Sequence, residues 1–212
     1  MMNGIVIIGA GGHAKVCIEI LRSAGEEIAF CISNGPGSGK CMGIPILCGD
    51  ENLTTLRSAG YGRAFIAIGA NNLRVHLSEK AVGLGYALVN AISPFAIVSK
   101  SAAFGTGVAV MAGVVINAET QVANLAIINT GATVDHDCRI GFAAHVGPQC
   151  ALAGNVSIGD KTFLGVGCKV IPGITIGECT VIGAGAVVTT DIGSSVTAVG
   201  LPARVTKTSP LF

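Results

Sequence analysis

Residues 156–188 read VSIGDKTFLGVGCKVIPGITIGECTVIGAGAVV, and an aliphatic side chain returns at every sixth position: Ile158, Leu164, Val170, Ile176, Ile182 and Val188. Counted backwards, the same step runs without a slip to Val98, giving sixteen positions that are all aliphatic except Phe104. A second series lies four residues after each of these and is mostly small, as at Ala126, Ala132, Cys138, Ala144, Cys150 and Cys168. A period of six suits neither a 3.6-residue helix nor a two-residue alternation. It suits a chain that makes a short strand, turns a corner and repeats. Three such steps close a triangular coil of about eighteen residues, and stacked coils pair their strands in parallel and bury one large residue per side. The pattern therefore predicts a three-sided solenoid of a little over five coils across the second half of the chain.

The rest of the composition narrows the function. The chain has 212 residues, of which 50% are hydrophobic, only 12% are charged and 31 are Gly. Charge is scarce for a monomer's surface, so part of that surface is expected to be covered by further copies of the chain. A net charge of +1 with no basic run leaves no footprint for nucleic acid. No apolar run approaches the length of a membrane span, and no secretory leader is readable, so membrane insertion is not expected and the cytoplasm is the expected compartment. The eight cysteines include no CxxC pair and fit no disulfide framework, which makes them reduced fillers of small core positions. Four scattered histidines without ligand-spaced cysteines offer no metal site.

Before the repeat the pattern changes. GIVIIGAGGHAKVCIEILRSAG (4–25) reads as a buried strand at Ile5–Ile8, a glycine turn, and a helix with Val16, Ile20 and Leu21 on its buried side. IAFCIS (28–33) and RAFIAIGAN (63–71) read as further strands, and a helix is expected between Asn71 and Gly85. Strand alternating with helix predicts a small Rossmann-like α/β domain with a parallel sheet, here assigned to residues 1–92, ahead of a repeat domain at 93–212. Gly9, Gly11 and Gly12 would let backbone N–H groups approach a phosphate at the start of the first helix. The dinucleotide fingerprint is completed at Ala14, but the ribose-binding acid expected after the second strand is replaced by Ser33 and Asn34, ahead of a flexible GPGSGK (35–40). NAD is disfavoured.

One stretch of the repeat is unusual. TVDHDCRIG (133–141) sets His136 between two aspartates, and on the six-residue grid Val134 and Cys138 point inward while His136 lies at a corner, facing out. One coil earlier stands Ala118 and one coil later Gly154, so small neighbours leave room around the imidazole. A histidine near its ordinary pKa of about 6.5 can accept a proton at neutral pH. A neighbouring carboxylate, Asp135 or Asp137, would orient it. The Gly154 N–H is a natural donor to an oxyanion. In the tail, Arg204 and Lys207 are placed to attract phosphates.

IGDKTF, LGVGCK, IGECTV and IGAGAV resemble the hexapeptide-repeat acyltransferases, and IIGAGGHAK, FIAIGANNLR, TVDHDCRIG and LPAR resemble their nucleotide-sugar branch of the NeuD and PglD type. The resemblance implies a left-handed parallel β-helix, a homotrimer with active sites between subunits, and acetyl-CoA as co-substrate without a metal. It implies acetylation of the 4-amino group of a nucleotide-linked amino-dideoxy sugar of the UDP type, with O-acetylation of sialic acid or another sugar as the alternative; a non-catalytic binding solenoid is a second alternative, since repeat surfaces often serve for binding. Gly11, Gly12, His13 and Lys15 would lie near the sugar nucleotide's phosphates, with Gly69, Asn71 and Arg74 along the same cleft and Ser33 towards the base. His136 matches the general base and Asp137 the following acid, which is usually Glu. Asn129 would approach the acceptor, His145 the acetyl group or the sugar across the subunit interface, and Ala184 the pantetheine arm.

Overall fold

The computed structural model describes residues 4–35 and 39–208 and divides the chain into two compact units, Met1–Pro94 and Phe95–Phe212.

The first unit is built on a six-stranded sheet. Its strands are β1 (Ile5–Ile8), β2 (Ile28–Ser33), β3 (Gly39–Cys41), β4 (Ile44–Cys48), β5 (Arg63–Ile66) and β6 (Ala87–Leu88), in the order β3-β4-β2-β1-β5-β6. All neighbours run parallel except β3, which forms a hairpin with β4. The helices are α1 (Gly12–Ser23), α2 (Glu51–Ser58) and α3 (Asn71–Gly83). Because β1 is covered on both faces, all four of its residues are buried, which is why IVII carries no alternation. α1 buries Ala14, Cys17, Ile18 and Leu21 at the i, i+3, i+4, i+7 spacing. Ile20 is also buried, but Val16 is 41% exposed, which corrects its expected place on the buried side. The hairpin, α2 and β6 had no counterpart among the expected elements. Of the GPGSGK segment, Gly39 and Lys40 belong to β3 rather than to a flexible loop, while residues 36–38 lie outside those described.

In the second unit, two-residue strands recur every six residues from Ile97–Val98 to Val187–Val188 and sort onto three faces. Face 1 runs from Ile97–Val98 through Thr133–Val134 to Val187–Val188; face 2 from Ala103–Phe104 through Arg139–Ile140 to Thr175–Ile176; face 3 from Ala109–Val110 through His145–Val146 to Val181–Ile182. Every pair joins its counterpart eighteen residues on in parallel register, for example Thr133↔Ala151, Arg139↔Ser157 and His145↔Phe163. The large inward series is buried throughout except at Val98 and Phe104, half-buried in the first coil, where no earlier coil caps them. The small series fills the corners, and its cysteines Cys138, Cys150 and Cys168 are buried free thiols. Three-sided coils need a sharp turn at each corner, and residues there accordingly take a left-handed conformation, as at Asp137 (φ 59°), Gln149 (φ 56°) and Gly131 (φ 67°). Among the described residues no helix is long and apolar enough to cross a membrane.

Candidate active site

In the first unit, the sheet order creates a crevice. The chain leaves β1 towards β2 on one side and later returns to β5 on the other, so the loops after β1 and β5 diverge at the carboxyl ends of adjacent strands. These loops carry Gly9–Gly12 and Ala67–Ala70, and Ser33 ends the neighbouring β2. Gly9, at φ 122°, is required where a Cβ would stand 2.7 Å from the Ala67 carbonyl oxygen. By contrast, a Cβ at Gly11, Gly12 or Gly69 would meet nothing within 4 Å, so the crevice wall is open backbone. Neither α1 nor α3 has a side-chain N-cap hydrogen bond, and both helices start at these loops, the place where a helix N-terminus favours an anion.

Arg74 holds the second loop in place. The residue is 1% exposed, and its guanidinium donates to the Ile68 carbonyl at 3.0 Å, the Gly69 carbonyl at 2.9 Å and the Asn71 side-chain oxygen at 2.9 Å. Burial lowers its pKa to about 10, and it remains charged at neutral pH. His13 is largely enclosed, and its Nε2 is buried without a hydrogen-bond partner among the described residues. Burial, helped by the Arg74 charge, lowers its pKa to about 4, so the ring is neutral. The structure thus brings Gly11, Gly12, His13, Ser33, Gly69, Asn71 and Arg74 to one end of the sheet. Lys15 is exposed one residue beyond Ala14 on α1, and Ser33 accepts a hydrogen bond from the Gly35 N–H at 3.3 Å.

In the second unit, His136 stands on the edge between faces 1 and 2, exposed as the grid required. Its Nδ1 is 2.8 Å from Asp137 Oδ2. Asp137, in its left-handed turn, donates its N–H to the Ala118 carbonyl at 3.0 Å, and that turn brings the carboxylate back to the ring. Asp135 faces elsewhere: its Oδ1 accepts from the His136 N–H at 2.8 Å and from Asn117 Nδ2 at 2.8 Å. The choice between the two aspartates that the sequence left open is decided by the turn, in favour of Asp137. Nδ1 carrying the proton towards Asp137 leaves Nε2 as the basic nitrogen. That side of the ring lies over Gly154, where a Cβ would come within 2.6 Å of Cε1 and 2.7 Å of Nε2.

The expectation of an ordinary imidazole pKa is corrected. The hydrogen bond to Asp137 and then the Asp135 charge hold the His136 pKa above its usual value. Asn117 was not among the expected site residues, although it stands one coil before Asp135 and the eighteen-residue step leads directly to it.

Asn129 and His145 form a second cluster. Asn129 Nδ2 lies 3.0 Å from His145 Nε2; His145 is 8% exposed, and its ring is edge-on to Phe163 at 5.1 Å. This cluster sits by the edge between faces 3 and 1, and the exposed Ala184 lies on that edge further along the axis. Within one chain, face 1 separates it from His136. Gly154 alone of the expected coenzyme contacts adjoins His136 directly. Arg204 lies in the exposed terminal strand Arg204–Lys207, antiparallel to Thr197–Val199, and donates to the Ala203 carbonyl at 3.0 Å.

Known proteins share both units. Residues 4–81 match the PglD N-terminal domain and residues 155–190 the bacterial transferase hexapeptide family, described as six repeats. A variant of perosamine N-acetyltransferase from Caulobacter crescentus, in complex with CoA and GDP-perosamine, is 53% identical over 97% of this chain and 98% of that one, with a TM-score of 0.95. The acetyltransferase domain of PglB from Neisseria gonorrhoeae FA1090, in complex with acetyl coenzyme A, is 34% identical over 97% of this chain and 100% of that one, with a TM-score of 0.92. UDP-N-acetylbacillosamine N-acetyltransferase of Bacillus subtilis (strain 168) is 37% identical over 119 residues, a segment spanning about half of each protein (52%). With the repeat, the crevice and the corner histidine all lying within segments matched along almost its whole length, this chain belongs to the hexapeptide-repeat nucleotide-sugar acetyltransferases of the NeuD/PglD type, and its prism is their left-handed parallel β-helix.

Proposed function

We propose that this protein moves the acetyl group of acetyl-CoA onto the 4-amino group of a nucleotide-linked amino-dideoxy sugar for surface-glycan synthesis, in the cytoplasm where that coenzyme is made. The observation that carries this reading is the pairing of His136 Nδ1 with Asp137 Oδ2 at 2.8 Å on an exposed edge, which leaves Nε2 free to act as base. The amine's lone pair attacks the thioester carbonyl, His136 Nε2 takes the amine proton, and the imidazolium formed gives it to the departing thiolate. Asp137 stabilises that imidazolium. The Gly154 N–H, which has no backbone acceptor among the described residues, is the donor proposed for the oxyanion.

The sugar nucleotide belongs in the crevice of the first unit, its phosphates over Gly11, Gly12 and the start of α1, with His13, Lys15, Asn71 and Arg74 around it and its base towards Ser33. Asn129, His145 and Ala184 lie across face 1 from His136, which supports a trimer whose sites each combine one copy's His136 edge with another copy's Asn129 edge. Ala184 and Arg204 would then line the coenzyme's path. A relative that matches almost the whole chain holds GDP-perosamine, which favours a GDP-linked sugar over the UDP-linked one first expected.

The test follows thiol release from acetyl-CoA with a panel of GDP- and UDP-linked 4-amino and 4-hydroxy sugars. Turnover is expected only with the amines, and it should fall by roughly 10²–10⁴-fold in His136→Ala with the oligomer intact. Full turnover in that variant would remove His136 from the mechanism. Preferred turnover of the hydroxyl sugars would make the enzyme an O-acetyltransferase.

A further inference from the structure

We propose that Asn117 and Asp135 act as a positioning pair for His136, so that the two aspartates flanking the histidine have separate tasks: Asp137 holds the ring, and Asp135, anchored to the preceding coil, holds the peptide that carries it. The inference rests on the reading of His136 as the base.

Asn117 occupies in its coil the place that Asp135 occupies in the next, eighteen residues on, and its amide donates to Asp135 Oδ1 at 2.8 Å. The same oxygen accepts the His136 N–H at 2.8 Å. The Asp135 carbonyl accepts from Thr120 Oγ1 at 2.8 Å, and the Asp137 N–H donates to the Ala118 carbonyl at 3.0 Å. His136 is therefore bracketed by two residues that are both tied to the coil before it. On the other side, the Asn155 N–H donates to the His136 carbonyl at 2.9 Å. A solvated corner needs no carboxylate to satisfy one N–H, since water does that at no cost. A shared oxygen fixed from the neighbouring coil does limit how far the corner can swing.

The pair also acts through charge. Across the corner of His136 and the two flanking corners, the titratable groups are Asp135, Asp137, the buried Cys138 and the exposed Glu119. Asp135 raises the proton affinity of the imidazole through its charge, after the larger contribution of the Asp137 hydrogen bond. The Asn117 amide keeps Asp135 itself ionised, holding its carboxyl below the usual range.

Asp135→Asn preserves both hydrogen bonds through the amide oxygen and removes only the charge, while Asn117→Ala removes the anchor and leaves the charge. The imidazole titration is read by NMR in the intact protein, with the His136 signal assigned by its loss in His136→Ala, alongside the pH dependence of kcat/KM. Asp135→Asn is expected to move both the NMR titration and the acid limb of kcat/KM to lower pH. Asn117→Ala is expected to lower kcat by about tenfold with little change in KM, as a loosened base demands. An unchanged titration in Asp135→Asn, or a wild-type kcat in Asn117→Ala, overturns the pairing. The NMR readout does not depend on turnover, so a failure of His136 as base would leave the titration shift in place while the rate data lost it.

Discussion

Replacing Gly154 by alanine tests the placement of His136 with one methyl group. A Cβ built at this position lies 2.6 Å from Cε1 and 2.7 Å from Nε2 of His136, whereas ordinary contact begins at 3.4 Å, so the ring must retreat by about 0.8 Å. Gly154 is not among the positive-φ glycines, and the new side chain brings no backbone strain to confuse the result. The ring does not move alone, because Nδ1 is bonded to Asp137 at 2.8 Å, so its retreat stretches that bond or carries the exposed Asp137 carboxylate with it. Displacing a reacting group by about 1 Å costs up to roughly 10²-fold in rate. Gly154→Ala is therefore expected to lower kcat by about 10- to 100-fold and to weaken the Asp137 bond. Steady-state thiol release from acetyl-CoA measures the loss, and thermal unfolding checks the fold. A kcat equal to wild type would refute the placement of the reacting nitrogen over Gly154. A loss explained entirely by unfolding would refute the claim that only the ring and its bonded carboxylate move.

If His136 is the base, as proposed, it must be neutral to accept a proton, and because its pKa is held above the ordinary value, kcat/KM should fall as pH drops through that raised pKa; in Asp137→Asn, whose amide no longer stabilises the imidazolium, the fall should begin at lower pH. His13, with a pKa of about 4, is neutral throughout pH 6–8, so His13→Ala should weaken nucleotide-sugar binding by a factor that calorimetry finds constant over that range; a pH-dependent factor would mean the ring is charged. Leu164 is fully buried in the prism, and Leu164→Ala should cost about 2–5 kcal/mol in denaturant unfolding, whereas Thr175→Ala on the exposed outer side of face 2 should cost less than about 0.5 kcal/mol.

The second unit was legible in the sequence through its periodicity. An inward aliphatic every sixth residue leaves the chain one economical packing, and it placed the coils, the inward cysteines and the outward histidine correctly, because each coil contacts only its neighbours at a fixed spacing. The first unit was less legible. β1, β2, β5, α1 and α3 have apolar runs long enough to recognise, but the β3–β4 hairpin and α2 mix Gly, Pro and polar residues over 39–58 and are stabilised by the sheet they join. Val16 was misplaced for a related reason: an apolar type says nothing of which turn of the helix faces the core.

The amino-acid sequence by itself determined the prism, its register and the corner on which His136 stands, since those depend on spacing alone. Only the tertiary structure decided that Asp137 and not Asp135 binds the ring, that Asn117 reaches Asp135 from the coil before, and that Arg74 shapes the glycine loop of the crevice. Each of these turns on a side chain's direction out of a bend or across a stack, and direction is set by backbone dihedrals and neighbouring coils, which adjacency in the chain does not encode.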